Sequence, residues 1–235
     1  MKIELFDDKV GAVEYIDHMG SDLSVVNAAR VSFGKEKEKL NDKDIKLINY
    51  LMSHNHTSPF EHCSITFRFT VPLFIRSQHH RHRTWAYNEI SRRYTSIDMK
   101  FYTPTSFRSQ HESNRQASTE LLTNPIVYCS GHDDSFEMTG PATNMVKNHH
   151  AISLSLYNSM LKAGVCREQA RGVLPQNLYT EYYGTVNLHN LLKFVSLRTH
   201  AGAQWEIQKV ANACLKIAQE YFPHSVEAYK KVHME

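Results

Sequence analysis

Ser64-Ile65-Thr66-Phe67-Arg68-Phe69-Thr70-Val71-Pro72 is the stretch on which the fold turns. Ile65, Phe67, Phe69 and Val71 fall on one face of an extended chain, and Thr66, Arg68 and Thr70 on the other. This period-two alternation is that of a half-buried strand. Pro72 has no backbone N–H, so it ends the strand and suits the first turn of a helix. That helix is predicted from Leu73 to about His82, and its end carries Gln78, Arg81, His82 and Arg83. Glu89 to Arg93 follow on a turn. Residues 81 to 94, Arg-His-Arg-Thr-Trp-Ala-Tyr-Asn-Glu-Ile-Ser-Arg-Arg-Tyr, concentrate four arginines beside aromatic and polar groups. Guanidinium forks grip phosphates in paired hydrogen bonds. Trp85 and Tyr87 offer flat faces, and Asn88, Glu89 and Ser91 can read a base or sugar edge. A merely solvated basic face would require neither Glu89 nor Ser91 within it.

Moving towards the N-terminus, His54 to His62 contains Pro59, which argues against a continuing helix and puts these polar groups on a loop. Asn41 and Asp44 mark a helix start, with Ile45, Ile48 and Met52 on one face. Asp22 to Arg30 is a further helix capped by Ser21 or Asp22, and residues 2 to 6 suit a short strand. Towards the C-terminus, residues 107 to 145 are polar and broken by Asn124-Pro125, Gly131 and Gly140-Pro141, the composition of a long loop or insertion. Pro141 starts a helix with Met145, His149, Ile152, Leu156 and Met160 in register, stopped by Gly164. A short helix from Arg167 to Gly172 precedes Pro175. Tyr179 to Val186 reads as a strand, Asn187 caps a helix through Arg198, and Trp205 to Tyr221 is amphipathic and closed by Pro223. Helices dominate and strands do not alternate regularly with them, so the fold class is α+β, a mixed helix-and-sheet single domain over 1–235.

The 235 residues suffice to bury a substantial core, and 27 basic against 24 acidic residues give a net charge of only +3. A local phosphate site fits that balance better than a surface built to neutralise a polyanion, so no nucleic acid partner is expected. No apolar run approaches the ~18 residues of a membrane span. The N-terminal stretch is too short and charged for a signal peptide, and Cys63, Cys129, Cys166 and Cys214 are widely spaced, so free thiols in the cytoplasm are expected.

No two glycines lie two apart, which excludes a Gly-x-Gly-x-x-Gly dinucleotide turn, and there is no phosphate loop, nucleophile elbow or His-Glu-x-x-His helix. Cys166, near Arg167 and Arg171, has the surroundings of an activated thiol, although a small packing residue is the simpler reading. Fifteen histidines raise a rival function: His54, His56 and His62, or His79, His80 and His82, as ligands of zinc or iron. A second rival is an RNA-binding module in which Trp85 and Tyr94 stack on bases beside the arginines. It leaves Glu89 unexplained.

Arg81-His82-Arg83, followed after seven residues by Ser91, resembles the signature of the flavin-dependent thymidylate synthases. Ala28-Ala29-Arg30-Val31-Ser32-Phe33, His56 to His62, Val173-Leu174-Pro175, Thr185-Val186-Asn187, and Leu197-Arg198 with Gln204-Trp205-Glu206 resemble further segments of that family, in its order. The resemblance covers most of the chain apart from 107–145. It implies a homotetramer with active sites shared between subunits. The implied reaction is the methylation of dUMP to dTMP with FAD as cofactor, methylenetetrahydrofolate as carbon donor and NADPH as reductant. No protein nucleophile is then required, since the cofactor carries the hard step.

By the same resemblance, Ser58, Arg81, His82, Arg83, Glu89 and Asn187, with Leu188, His189 and Lys193, are flavin positions, and His56 lies near the flavin. Gln78, His79, His80, Arg81, Glu89, Ile90, Ser91, Arg92, Arg93 and Arg171 are dUMP positions. Arg198 is the catalytic arginine facing the pyrimidine and favouring its ionised form. The chain departs from the pattern at His189, where an arginine is frequent, at Lys193, where an asparagine is common, and at Gly202, which replaces a histidine. These departures bear on the adenine and pyrophosphate contacts.

Overall fold

In the computed structural model, which describes residues 1–115, 117–131 and 136–234, the alternating strand is β3 (Ser64–Pro72) and lies at the centre of a five-stranded sheet. The sheet's other strands are β1 (Lys2–Glu4), β2 (Ala12–Met19), β4 (Ala86–Glu89) and β9 (Tyr179–Asn187), in the order β1-β2-β3-β9-β4. The alternation is realised as read: Ile65, Phe67, Phe69 and Val71 are fully buried. Arg68, on the opposite face, pairs with Glu181 at 2.8 Å and Glu14 at 3.8 Å. β2 carries Glu14 and Asp17 within its alternation and is interrupted by a register shift between Tyr15 and Asp17. Sequence periodicity did not indicate it. Gly184 on β9 is required by close approach, because a Cβ there would lie 2.9 Å from the Phe69 ring and 3.2 Å from Trp85.

The chain forms two compact units. The first comprises Met1–Thr70, Ser77–Glu89 and the chain from Glu181 onward, and contains the bulk of the sheet. Around it are α1 (Asp22–Arg30), α2 (Asp42–Ser53), α6 (Leu188–Thr199), α7 (Trp205–Tyr221) and α8 (Pro223–His233). Asn41 caps α2 by accepting the Lys43 and Asp44 N–H groups at 3.0 and 3.3 Å. The helix Trp205–Tyr221 ends before Pro223 as read, and Pro223 also occupies the first turn of a further helix, α8, where its missing N–H costs nothing. The buried carboxylate of Asp22 accepts the N–H groups of His224 and Ser225, at 2.8 and 3.0 Å, and so ties the start of α1 to the start of α8.

The second unit comprises Val71–Arg76 and Ile90–Thr180. Its core is Tyr157, Ala170, Leu174 and Leu178, with Leu73, Met99 and Phe101 packed against them. The helix α3 (Leu73–His79) ends three residues before the expected His82. Residues 107 to 145, expected as a loop, hold two antiparallel hairpins and the first residues of a helix; 116 and 132–135 lie outside the described residues. β5 (Phe107–Gln110) pairs with β6 (Ser118–Thr123), and β7 (Ile126–Ser130) with β8 (Glu137–Pro141). Of the breakers, Asn124-Pro125 separates the two hairpins, Gly131 follows β7, and Gly140-Pro141 lies within β8, paired with Val127 and Ile126. The long helix α4 (Ala142–Lys162) buries His150, Ser153 and Tyr157. Of the register Met145, His149, Ile152, Leu156 and Met160, Met160 packs against this unit's core, whereas Ile152 is 59% and Leu156 49% exposed. The short helix α5 (Arg167–Ala170) continues as a 3-10 turn, Arg171–Val173.

Cys63 and Cys214 are buried, Cys129 and Cys166 exposed, and all four are free thiols. Cys166 is thus not the packing residue expected. No helix among the described residues is long and apolar enough to cross a membrane.

Candidate active site

The end of a helix leaves its last carbonyls without intrahelical partners, and in α3 these carbonyls organise the basic turn. Gln78 O accepts the Arg81 N–H at 3.3 Å, His79 O the His82 N–H at 2.9 Å, and His82 O the Trp85 N–H at 3.3 Å. The Tyr87 hydroxyl lies within hydrogen-bonding distance of two of the same carbonyls, His79 O at 2.9 Å and His82 O at 3.1 Å. Tyr87 sits on β4, whose backbone is fixed against β9 with Tyr87 opposite Gly184 and Glu89 opposite Tyr182. Sheet and turn are thus locked together, and Arg81, His82 and Arg83 project from a braced segment. Glu89 therefore belongs to an edge strand rather than to the expected turn.

Beneath the turn, the fully buried His79 ring takes a 2.8 Å hydrogen bond with the Tyr182 hydroxyl and packs edge-on against Trp85 at 4.5 Å. Burial, with His82, His80 and Arg198 adding to it, holds His79 well below the usual histidine range. Its side chain is part of the core, so a ligand would meet this position through backbone alone. The His80 ring lies 4.1 Å from Tyr87.

His82 is the link to chemistry. Its Nε2 accepts the Arg198 Nε–H at 3.0 Å, and Arg198 Nη2 also reaches Gln78 O at 3.5 Å. An imidazole nitrogen can accept only when it carries no proton, which places the His82 proton on Nδ1. The electrostatics agree: burial first, then the Arg198 and Lys193 charges, push the His82 pKa down to about 4. Burial also lowers Arg198 from its ordinary value, and a guanidinium with so high a starting value remains protonated. A neutral histidine thus aims a permanent cation.

The flavin positions of the sequence reading meet at a second junction in the same unit. Ser58 begins a 3-10 turn, Ser58–His62, where a loop was expected. The carbonyl of Cys63, just past that turn, accepts the Leu188 N–H at 2.9 Å, joining it to the start of α6. Asn187 caps α6 by accepting the Asn190 N–H at 2.9 Å. Leu188 is fully buried, whereas Lys193 is exposed and His189 half-buried on the same helix. Among the described residues, Arg81, Arg83, Lys193 and Arg198 form no ion pair with a carboxylate. Four cations without counter-charges are a donor set suited to a phosphate-bearing cofactor such as a flavin dinucleotide.

In the second unit, Arg93 Nη2 pairs with Glu168 Oε2 on α5 at 3.1 Å, which brings Arg93 beside the turn carrying the exposed Arg171. Ser91 Oγ accepts the Arg93 N–H at 3.3 Å. Arg92 faces inward instead, donating to Ile97 O at 2.9 Å and Tyr179 O at 3.4 Å, and burial lowers its pKa. Ile90 is 38% exposed. Among the described residues no three His, Cys, Asp or Glu side chains are grouped to hold a metal ion. The histidine sets considered for one are otherwise engaged, His79 with Tyr182, His82 with Arg198, and His54 stacked on Tyr50 at 4.0 Å.

Comparison with known proteins gives this geometry its context. The family described as thymidylate synthase complementing protein matches residues 14–224. A flavin-dependent thymidylate synthase of Thermotoga neapolitana is 42% identical over 231 residues, 98% of this chain and 95% of that protein. The chain belongs to the flavin-dependent thymidylate synthase family. It is accordingly an enzyme, of a family of flavoprotein methyltransferases. A second member, from Thermus thermophilus, is 40% identical over 96% of this chain and 77% of its own. Among solved structures, the UMP/dUMP methylase PolB of Streptomyces cacaoi bound with 5-Br dUMP superposes with a TM-score of 0.81 at 32% identity, covering 98% of each chain.

Within this flavin-dependent synthase, three contributors escaped sequence reasoning. Tyr87 was read as a flat face, but its hydroxyl does the bracing. Gln204 and Glu206 entered only as part of a family segment, yet the Gln204 amide bonds both Gln78 and, at 2.9 Å, Glu206. Their only sequence signal was membership of the Gln204-Trp205-Glu206 run at the start of α7.

Proposed function

We propose that this protein converts dUMP to dTMP with FAD as cofactor, methylenetetrahydrofolate as carbon donor and NADPH as reductant. In this reading it acts in the cytoplasm as a homotetramer in which more than one chain contributes to each active site. The observation that carries the reading is Arg198, held by a neutral His82 amid cations that lack carboxylate partners. FAD, when bound, supplies the hydride transfer that no side chain can perform. Arg81, His82, Arg83 and Lys193 are assigned to its phosphates, with Ser58, Glu89 and the Asn187–His189 segment as further contacts.

Carbon and hydride transfer both require an electron-rich pyrimidine C5, so negative charge develops towards O4. Arg198 is assigned to hold that charge, its fork pre-aimed so that no reorganisation is needed as the charge appears. Arg93, Arg171 and Ser91 are assigned to the dUMP 5′-phosphate, a group that guanidinium forks hold in paired bonds. Arg92, engaged with two backbone carbonyls, supports the segment rather than offering its whole fork. The outward apolar register of α4, Ile152 and Leu156, supports association between chains.

The test is direct. The purified protein should be yellow and should form dTMP only when dUMP, methylenetetrahydrofolate, NADPH and FAD are all present. Joint replacement His82→Ala and Arg83→Ala should strip the flavin while far-UV circular dichroism stays unchanged. A colourless protein that takes up no added FAD would overturn the assignment.

A further inference from the structure

The Glu168 carboxylate stands beside one of the groups assigned to the 5′-phosphate. Its Oε2 lies 3.1 Å from Arg93 Nη2, with the arginine and glutamate side chains 50% and 62% exposed. An ion pair so open to solvent contributes little to folding, so stability does not account for it. The segment that carries Arg93 is fixed independently of the pair. Ser91 O accepts the Tyr94 and Thr95 N–H groups at 3.0 and 3.2 Å, and Ser91 Oγ accepts the Arg93 N–H at 3.3 Å.

Glu168 lies in the short helix α5, and Arg171 follows it by three residues at the start of the 3-10 turn. That spacing places two side chains as neighbours on one side of a helical turn. Arg93 and Arg171 thus flank the carboxylate, and Arg167, Glu168 and Arg171 are all exposed. A site made of cations alone ranks its ligands by charge, and would hold a nucleoside diphosphate more tightly than a monophosphate. A carboxylate within the cluster sets an upper limit to the charge it favours. The Arg93 guanidinium carries further N–H groups on Nε and Nη1, so one phosphate can be gripped while Nη2 stays with Glu168.

We propose that Glu168 is a specificity-determining residue that restricts the phosphate site to nucleoside monophosphates by repelling the added charge of a longer phosphate chain. The inference rests on the dUMP reading above and adds the residue that selects chain length. A second phosphate brings its negative charge to a turn whose nearest guanidinium is already shared with a carboxylate. The two anions then compete for Arg93 and repel each other across it. With a neutral side chain at position 168 the cations act unopposed, and the extra phosphate becomes an advantage.

Isothermal titration of dUMP and dUDP into the flavin-loaded protein, in buffer free of divalent cations, tests this for wild type, Glu168→Gln and Glu168→Asp. Wild type should prefer dUMP. Glu168→Gln keeps the side chain's shape and removes its charge, so the dUMP:dUDP preference should fall by about fivefold or more, the scale of one like-charge contact near 4 Å in water. The change should come from tighter dUDP binding. Glu168→Asp keeps the charge and should keep a preference for dUMP. The difference between wild type and Glu168→Gln should also shrink as salt rises from about 0.05 to 0.5 M, because exposed charges are screened. An unchanged dUMP:dUDP ratio in Glu168→Gln would overturn the proposal. Equal weakening of both nucleotides would also overturn it, and would make Glu168 a residue that merely orients Arg93. Failure of wild type to bind dUMP would instead count against the function proposed above.

Discussion

Replacing Arg198 with lysine keeps a positive charge in the last turn of α6 and removes the planar fork that the structure uses. Arg198 spends Nε on His82 at 3.0 Å and one Nη2 hydrogen on Gln78 O at 3.5 Å, so its direction is set by two bonds and its remaining donors point from a fixed plane. A lysine ammonium has no Nε–H to give His82 and swings on a flexible stem. The lost charge-assisted bond is worth about 1.5–3 kcal/mol. Preorganised stabilisation of developing charge commonly contributes about 3–4 kcal/mol, or roughly 10²–10³ in rate. Arg198→Lys should therefore retain flavin absorbance and lose turnover by about 10²-fold or more. The assay is dUMP-dependent oxidation of the pre-reduced flavin with methylenetetrahydrofolate present, followed at the flavin band and paired with dTMP quantification. Turnover within threefold of wild type would show that the fork has no role and that the charge alone suffices.

Two further outcomes follow from the same unit. His82, held at about 4 in the native protein against an ordinary value near 6.5, is protonated first in the unfolded chain. Its contribution to stability is therefore complete above pH ~6.5 and lost as pH falls from ~6.5 towards 4. For a half-buried ring, solvent screening reduces this to about 1–2 kcal/mol. Thermal unfolding at pH 7.5 and 4.5 should show a larger loss for wild type than for His82→Asn, and identical losses would refute the linkage. Asp22→Ala removes the carboxylate that receives the His224 and Ser225 N–H groups. It should destabilise by about 3 kcal/mol, since buried donors are left unmade. Urea unfolding at one fixed protomer concentration measures it, and a change below about 0.5 kcal/mol would contradict the capping role.

Local periodicity by itself determined much of this protein. The alternation of Ile65, Phe67, Phe69 and Val71, the amphipathic runs of α2 and α7, and the Asn41 and Asn187 caps each depend on residues within a few positions of one another. So does the Arg81–Arg83 cluster with Ser91. Tertiary structure decided the rest. α4 offers two faces that could be buried, and the one carrying Tyr157 was selected because Ala170, Leu174 and Leu178 pack against it. The other, with Ile152 and Leu156, is exposed. The hairpins of 107–145 depend on pairings such as Phe107 with Thr123, which leave no short-range period to read. The site shows the same division most clearly. His82 is visible in its motif, but its neutrality and its role as acceptor arise only when α6 brings Arg198, 116 residues away in the chain, to its Nε2. Hydrogen-bond direction and desolvation are properties of what surrounds a group in space, and a linear sequence does not encode them in any spacing.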